Sequence, residues 1–301
     1  MRRETILMLV ASLIAILFTG CMSQGTDTSV SATTSAMSTV VSPEGNDAEI
    51  DISPIVIGNV QYIRTGGYNE WMNFPFLVLV TSREDLEEYY AAFSGVFILA
   101  SSYGNATAGW NAAVEQYDKE WFTHHVLLMV LMQCGSGSIR HEVNGIEIVA
   151  GKEYVNITSI TPQPQTDDMA NWHILIELNA KPLELAGVKM TESETPLLRK
   201  VYTVREVSNL FTDFIISSAT KQLSADESKT VTNLTAPQIS RLNFGEVKGM
   251  SLSYYYGQYD PGYDGAPIWK VTFRTIQDEL LGPISYYLDQ AGNVFACDYR
   301  K

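Results

Sequence analysis

The sequence predicts an α+β protein: a mixed, mostly antiparallel sheet with one or two helices, followed by a smaller β-rich C-terminal domain. Three observations carry this. The run Val126-Leu127-Leu128-Met129-Val130-Leu131-Met132 has no helical stripe and is far too short to span a bilayer, so it reads as a strand covered on both faces. Only one segment has a full helix signature. Ser82 is placed to cap it, Asp85 follows three residues on, and Leu86, Tyr89, Tyr90 and Phe93 recur on one face. From residue 250 onward, short apolar and aromatic runs are separated by Gly, Asp and Asn, the pattern of strands and turns.

The chain opens with Arg2-Arg3, an apolar run from Ile6 to Phe18, and Thr19-Gly20-Cys21. A positive start and a short apolar core describe a signal peptide, and the ending resembles a bacterial lipoprotein signal with Cys21 as the lipidated residue. Phe18 stands where such signals commonly carry leucine. Residues 22–49 are rich in Ser and Thr and nearly free of large apolar side chains, so they are expected to form a disordered tether. Order is expected from about Ile50.

Next come expected strands at residues 56–63 and at Phe76-Leu77-Val78-Leu79-Val80, then the capped helix, with Glu84, Glu87 and Glu88 off its apolar face. A loop over residues 101–108 and a shorter helix over 110–116 lead to the central apolar strand. Gly135-Ser136-Gly137-Ser138 bends the chain. Ile139, His141 and Val143 share one strand face, whereas Ile146 and Ile148 fall in the opposite phase. The break at Asn144-Gly145 is either a tight hairpin or a bulge in one long strand; the few residues on either side favour the bulge. Ala150-Gly151-Lys152 is the better turn, and the returning strand runs from Tyr154 to Pro162. A closing strand covers Trp172 to Leu178.

Beyond residue 182 the pattern is less regular. Lys200 to Val204 reads as a strand, Leu210 to Ile216 as strand or helix, and the polar stretch 217–233 as a linker. Strands are expected over 251–256, 268–275, 285–289 and 294–299, with a loop at 259–265.

With these residues in view, the stretch from Tyr117 to Glu177 resembles the C-terminal domain of the protease complex subunit PrcB. The residues that carry the likeness are Phe122, Gly135-Ser136-Gly137-Ser138-Ile139-Arg140-His141, Pro162 and Thr166-Asp167-Asp168-Met169-Ala170-Asn171-Trp172-His173. Similar domains occur in secreted and lipid-anchored proteins of Gram-positive bacteria, and the resemblance implies a module that binds a surface protease. Fainter likeness to the closing hairpin of PepSY domains lies in Trp269-Lys270-Val271-Thr272-Phe273, Ser285-Tyr286-Tyr287-Leu288-Asp289 and Gly292-Asn293-Val294. The expected organisation is therefore a signal over 1–21, a tether over 22–49, a PrcB-like α+β domain over 50–182 and a β-rich region over 183–301.

A formal net charge of −14 excludes nucleic acid as a partner, because phosphate backbones demand basic surfaces, and leaves the N-terminal lipid as the sole membrane contact. His124, His125, His141 and His173 all fall in the central stretch but lack metal-ligand spacing, although His141 and His173 would be neighbours if their strands paired. Gly135-Ser136-Gly137-Ser138 lacks the frame of a nucleophilic serine. Asp167 or Asp168 is expected to cap a turn, and Cys134 and Cys297 to be free, buried thiols. No cofactor, metal or catalytic group is expected.

The candidate binding residues are Tyr254, Tyr256, Tyr259, Tyr263 and Trp269, because clustered aromatics near a loop offer rigid contact area. The expected function is a non-catalytic, lipid-anchored interaction module on the extracytoplasmic face of the cell membrane, binding a protein partner. The alternative is a lipoprotein that holds a glycan or cell-wall polymer on the tyrosine-rich loop.

Overall fold

The computed structural model describes residues 55–66, 71–99, 109–179, 185–256, 259–276 and 282–299. Cys21, the signal, the tether, the expected start of order at Ile50 and the 101–108 loop lie outside them. The described chain is α+β and belongs to one compact unit. Among the described residues no helix is long and apolar enough to cross a membrane.

The elements run β1 (Ile57–Thr65), β2 (Phe76–Val80), α1 (Arg83–Phe93), α2 (Trp110–Val114), β3 (His125–Cys134), β4 (Arg140–Val149), β5 (Lys152–Ile160) and β6 (Ala170–Asn179). They continue with β7 (Leu185–Met190), β8 (Leu197–Leu198), β9 (Val201–Thr203), α3 (Val204–Thr220), α4 (Ala225–Thr230), β10 (Gln238–Asn243) and α5 (Phe244–Lys248). β11 (Tyr254–Tyr255), β12 (Pro267–Phe273), β13 (Ile284–Leu288) and β14 (Val294–Tyr299) complete the chain.

Three sheets result. The central sheet has the order β1-β6-β3-β2-β9, the outer sheet β4-β5-β7-β8, and the C-terminal sheet β10-β12-β13-β14-β11. Pairing is antiparallel except for β2 with β9 and β5 with β7. Residues 185–203 are hydrogen-bonded into sheets begun by earlier strands, so the boundary expected at 182 falls inside this unit.

β3 shows why the run 126–132 is apolar throughout. Leu127, Met129 and Leu131 pack with Leu86, Tyr89 and Phe93 of α1 and Val207, Phe211 and Ile215 of α3. Leu128, Val130 and Met132 pack on Val155, Ile157, Leu185 and Val188 of the outer sheet. A central strand of a layered fold has no solvent face, and each such side chain contributes about 1.5–3 kcal/mol by leaving water.

α1 begins as its sequence predicts: Ser82 Oγ accepts the Asp85 N–H, while the Asp85 carboxylate reaches back to Thr81 N–H. α3 resolves the ambiguity at 210–216 in favour of helix. Val204, Val207, Phe211, Ile215 and Ala219 form its buried stripe, and Thr203 with Glu206 makes a reciprocal capping box. The stretch 217–233 is not a linker. It holds the end of α3 and then α4, which Ser224 and Glu227 cap in the same reciprocal way. Polar composition concealed these elements because α4 buries no side chain and is specified by its cap alone.

α1 and α3 lie between the central sheet and the C-terminal sheet. Phe211 meets Trp71, Phe93 and Trp269, with ring centroids 5.0 Å from Trp269. Just past α1, Gly95 approaches β12 so closely that a Cβ would come within 2.4 Å of Pro267. The break at Asn144-Gly145 is a bulge: the register against β5 shifts between Val143 and Gly145, and Gly145 has φ 142°. Ala150 and Gly151, with φ 51° and 75°, make the tight turn into β5.

Candidate functional site

Two regions compete for the site: the motif-dense turn after β3 and the tyrosines around β11. In the first, the Gly-Ser turn and the 166–168 segment, thirty residues apart in sequence, are locked together. Ser136 is buried, and its Oγ contacts Ser138 Oγ at 2.9 Å and Thr166 Oγ1 at 3.1 Å. Asp168 accepts the Gly137 N–H at 3.1 Å and pairs with Arg64 at 2.6 Å. A Cβ on Gly137 would stand 2.2 Å from both Arg64 Nη2 and Asp168 Oδ2, so any side chain there would push this ion pair aside. A hydrogen bond from the Thr166 side chain, with those from the Gly137 N–H and Arg64, holds the Asp168 carboxyl below its ordinary range. The cluster is a clasp that fixes the ends of β1, β3 and β6.

The histidines do not converge. His141 faces the outer-sheet core, where Nε2 lies 3.2 Å from Cys134 Sγ and Nδ1 lies 3.2 Å from Ser159 Oγ. His173 faces the other side of the central sheet. Its ring sits between Tyr89 Oη at 2.8 Å and Thr65 Oγ1 at 3.1 Å, walled by Phe97 and Trp110. The two were expected as neighbours if their strands paired. Instead β4 pairs with β5 in a different sheet, while β6 pairs with β1 and β3. Burial pushes His141 down to about 4 and His173 down to about 3, so both are neutral at pH 7. Burial also pushes the Cys134 thiol up to about 11. Cys134, His141 and Ser159 have the order of a nucleophile, base and orienter, yet the thiolate that nucleophilic chemistry needs is disfavoured. This grouping was not legible in the sequence: the turn at 150–152 signals the β4–β5 hairpin but not its bulged register or its packing on the end of β3. Cys134 and Cys297 are both free and buried.

Tyr254 and Tyr255 form β11, a free edge of the C-terminal sheet, with Tyr254 opposite Cys297 and Tyr255 opposite Ala296. Strand alternation puts neighbouring side chains on opposite faces. Tyr254 and Tyr256 therefore lie on the face of Cys297 and Tyr299. Tyr254 stacks on Tyr299 at 5.3 Å, and Tyr256 Oη rests 3.1 Å from Cys297 Sγ. Tyr255 lies on the opposite face. Exposures of 43%, 54% and 57% for Tyr254, Tyr255 and Tyr256 leave all three rings accessible. Burial of its hydroxyl against Cys297 raises the Tyr256 pKa.

The other candidates are scattered. Tyr259 is half-buried, stacked on Phe295 at 4.7 Å and edge-on to Phe244, as part of the cover over the outer face of the C-terminal sheet. Tyr263 is exposed, farther along the same loop. Trp269 is not a binding residue: it is 6% exposed, because it points from β12 into the layer of α3 and meets Phe211. The sequence signal that misled was aromatic clustering; the signal that would have sorted these residues is the alternation of β11 and β12.

Elsewhere, an open cleft of about 700 Å³ is lined by Arg83, Asn111, Val114, Glu115, Asp118 and Lys119. Its cations are already engaged, Arg83 with Glu87 and with the Val114 and Tyr117 carbonyls, and Lys119 with Glu84. On the outer sheet, Asn144, Asn156, Thr158 and Thr191 form a hydrogen-bonded polar face that extends through Glu147 to Lys189. Among the described residues no group of three or more His, Cys, Asp or Glu side chains could hold a metal ion.

Comparison with family models, with curated proteins and with solved structures returns no match. The PrcB-like and PepSY-like likenesses rest on the residues quoted for them alone.

Proposed function

We propose that this chain is a non-catalytic interaction module that binds a protein partner through the tyrosines of β11, and that lipid on Cys21 holds it at the extracytoplasmic face of the cell membrane. The observation that carries the reading is the exposure of Tyr254, Tyr255 and Tyr256 on both sides of a free sheet edge. Tyrosine anchors of this kind give large contact area at small entropic cost, more so when their rings are already held, as Tyr254 is by Tyr299 and Tyr256 by Cys297. A glycan platform needs several rings on one face, and of the exposed β11 tyrosines only Tyr254 and Tyr256 share one. The neutral, sealed state of Cys134 and His141 supports a non-catalytic role. A surface protease is the partner implied by the PrcB-like residues. The lipid anchor is supported by the Arg2-Arg3, apolar and Thr19-Gly20-Cys21 sequence.

The test is cross-linked capture from detergent-solubilised membranes, comparing the wild type with Tyr254→Ala/Tyr255→Ala. A discrete protein captured by the wild type and lost from the variant supports the reading. Recovery of the chain alone, or binding on a glycan array that needs Tyr256 and Tyr259, overturns it.

A further inference from the structure

The parity of β11 says how such a partner would dock. The Tyr256 N–H donates to Phe295 O at 2.8 Å, so the main chain of Tyr254 and Tyr256 turns toward β14. In an antiparallel ladder the intervening residue then turns its N–H and C=O away, and Tyr255 presents both outward at the sheet edge. Among the described residues there is no further strand of the sheet beyond this edge. The groups exposed there are a main-chain donor and acceptor with peptide spacing, and tyrosine rings stand on both faces beside them.

Only one ligand chemistry satisfies both features. A sugar or a helix meets a surface from one side, whereas an added strand places alternate side chains on both faces of the sheet. Charge narrows the occupant further. Asp298, two residues along β14 from the Ala296 that faces Tyr255, lies on the Tyr255 face. Asp298 also holds Ser253 Oγ at 2.9 Å, which fixes the start of β11. A basic side chain from an added strand would meet this carboxylate on the Tyr255 face, with the Tyr255 ring beside it for cation–π contact.

Resting on the reading of β11 as the recognition surface, we infer that the partner contributes an extended, basic polypeptide segment that pairs with Tyr255 and extends the C-terminal sheet by one strand. Its side chains alternate between the Tyr254–Tyr256 face and the Tyr255 face.

The test measures fluorescence anisotropy of the full chain in detergent with labelled peptides about ten residues long. One alternates Lys and Thr, a second alternates Glu and Thr, and a third is the Lys peptide N-methylated at its Lys residues, the set that must pair with the edge if the Lys side chains are to lie on the Tyr255 face. The expected result is saturable binding of the Lys peptide, none of the Glu peptide, and several-fold weakening, up to about tenfold, on N-methylation, as loss of the hydrogen bond to the Tyr255 C=O requires. Placing the N-methyl groups on the other alternate set should restore binding. Equal binding of all the Lys peptides, or none by any of them, overturns strand addition. Partner capture that still depends on Tyr254 and Tyr255 would then leave the recognition surface standing, so the two failures are distinguishable.

Discussion

The turn after β3 and the edge at β11 differ in how their polar and aromatic groups are used, and that difference underlies the proposed recognition surface. The first region holds nearly every motif in the sequence, including all four histidines within reach of one strand, yet the polar groups of its clasp bond one another. Ser136 bonds Thr166, Asp168 bonds Gly137 and Arg64, and His173 is enclosed by Tyr89 and Thr65. The second region has no motif, but its rings and part of its main chain face water. Buried polar groups must be satisfied internally, so a dense pattern of them marks a scaffold as readily as a site. Exposed aromatic side chains at a free edge have no such structural need.

Perturbing each region should separate the two. The largest effect is expected at the junction of the layers. Trp269→Ala removes a ring wedged against Phe211 and should cost about 3–5 kcal/mol in chemical denaturation. Acid comes next. His141 and His173 are pushed down in the folded state, so the unfolded chain binds more protons as pH falls below about 6.5, the ordinary histidine value. Stability attributable to them is fully present above that pH and is lost at about 1.4 kcal/mol per pH unit for each histidine as pH falls toward their folded values. His173→Gln, which keeps a donor and an acceptor but cannot charge, should roughly halve the histidine part of the slope measured by denaturation between pH 6.5 and 4.5.

Smaller effects sharpen the comparison. Gly137→Ala forces the Asp168–Arg64 clasp open and should destabilise by about 1–3 kcal/mol, read as a drop in Tm. Ala150→Asn replaces a left-handed alanine by a residue that tolerates the conformation and should stabilise by about 1 kcal/mol, read as a rise in Tm. Least of all, Tyr254→Ala/Tyr255→Ala should shift stability by no more than about 0.5 kcal/mol for each side chain, as for other surface changes.

Much of the fold was legible because its signals are local. The covered strand β3, the capped helix α1, the bulge at Asn144-Gly145 and the β12–β14 meander each follow from periodicity, caps or turn residues. α3 was ambiguous because Leu210 to Ile216 alone is too short to show a helical period; its stripe begins at Val204 and ends at Ala219. The candidate site, whose tyrosines are a proposal, was legible only as a region. Tyr254 and Tyr256 were found by composition, but their separation from Tyr255 depends on register with β14, and the fate of Trp269 depends on α3 packing across β12. Cys134, His141 and Ser159 meet through the bulged register of β4 on β5 and the packing of β4 against the end of β3, which the turn at Ala150-Gly151-Lys152 does not fix.

The central claim is that recognition belongs to the β11 edge and stability to the β3 turn. It is tested most directly by measuring partner capture and Tm together for Tyr254→Ala/Tyr255→Ala and for Gly137→Ala. The account predicts that the tyrosine variant loses capture at an unchanged Tm, whereas the glycine variant loses Tm but captures normally below its melting range. Normal capture by the tyrosine variant, or lost capture by a still-folded Gly137→Ala protein, would contradict it.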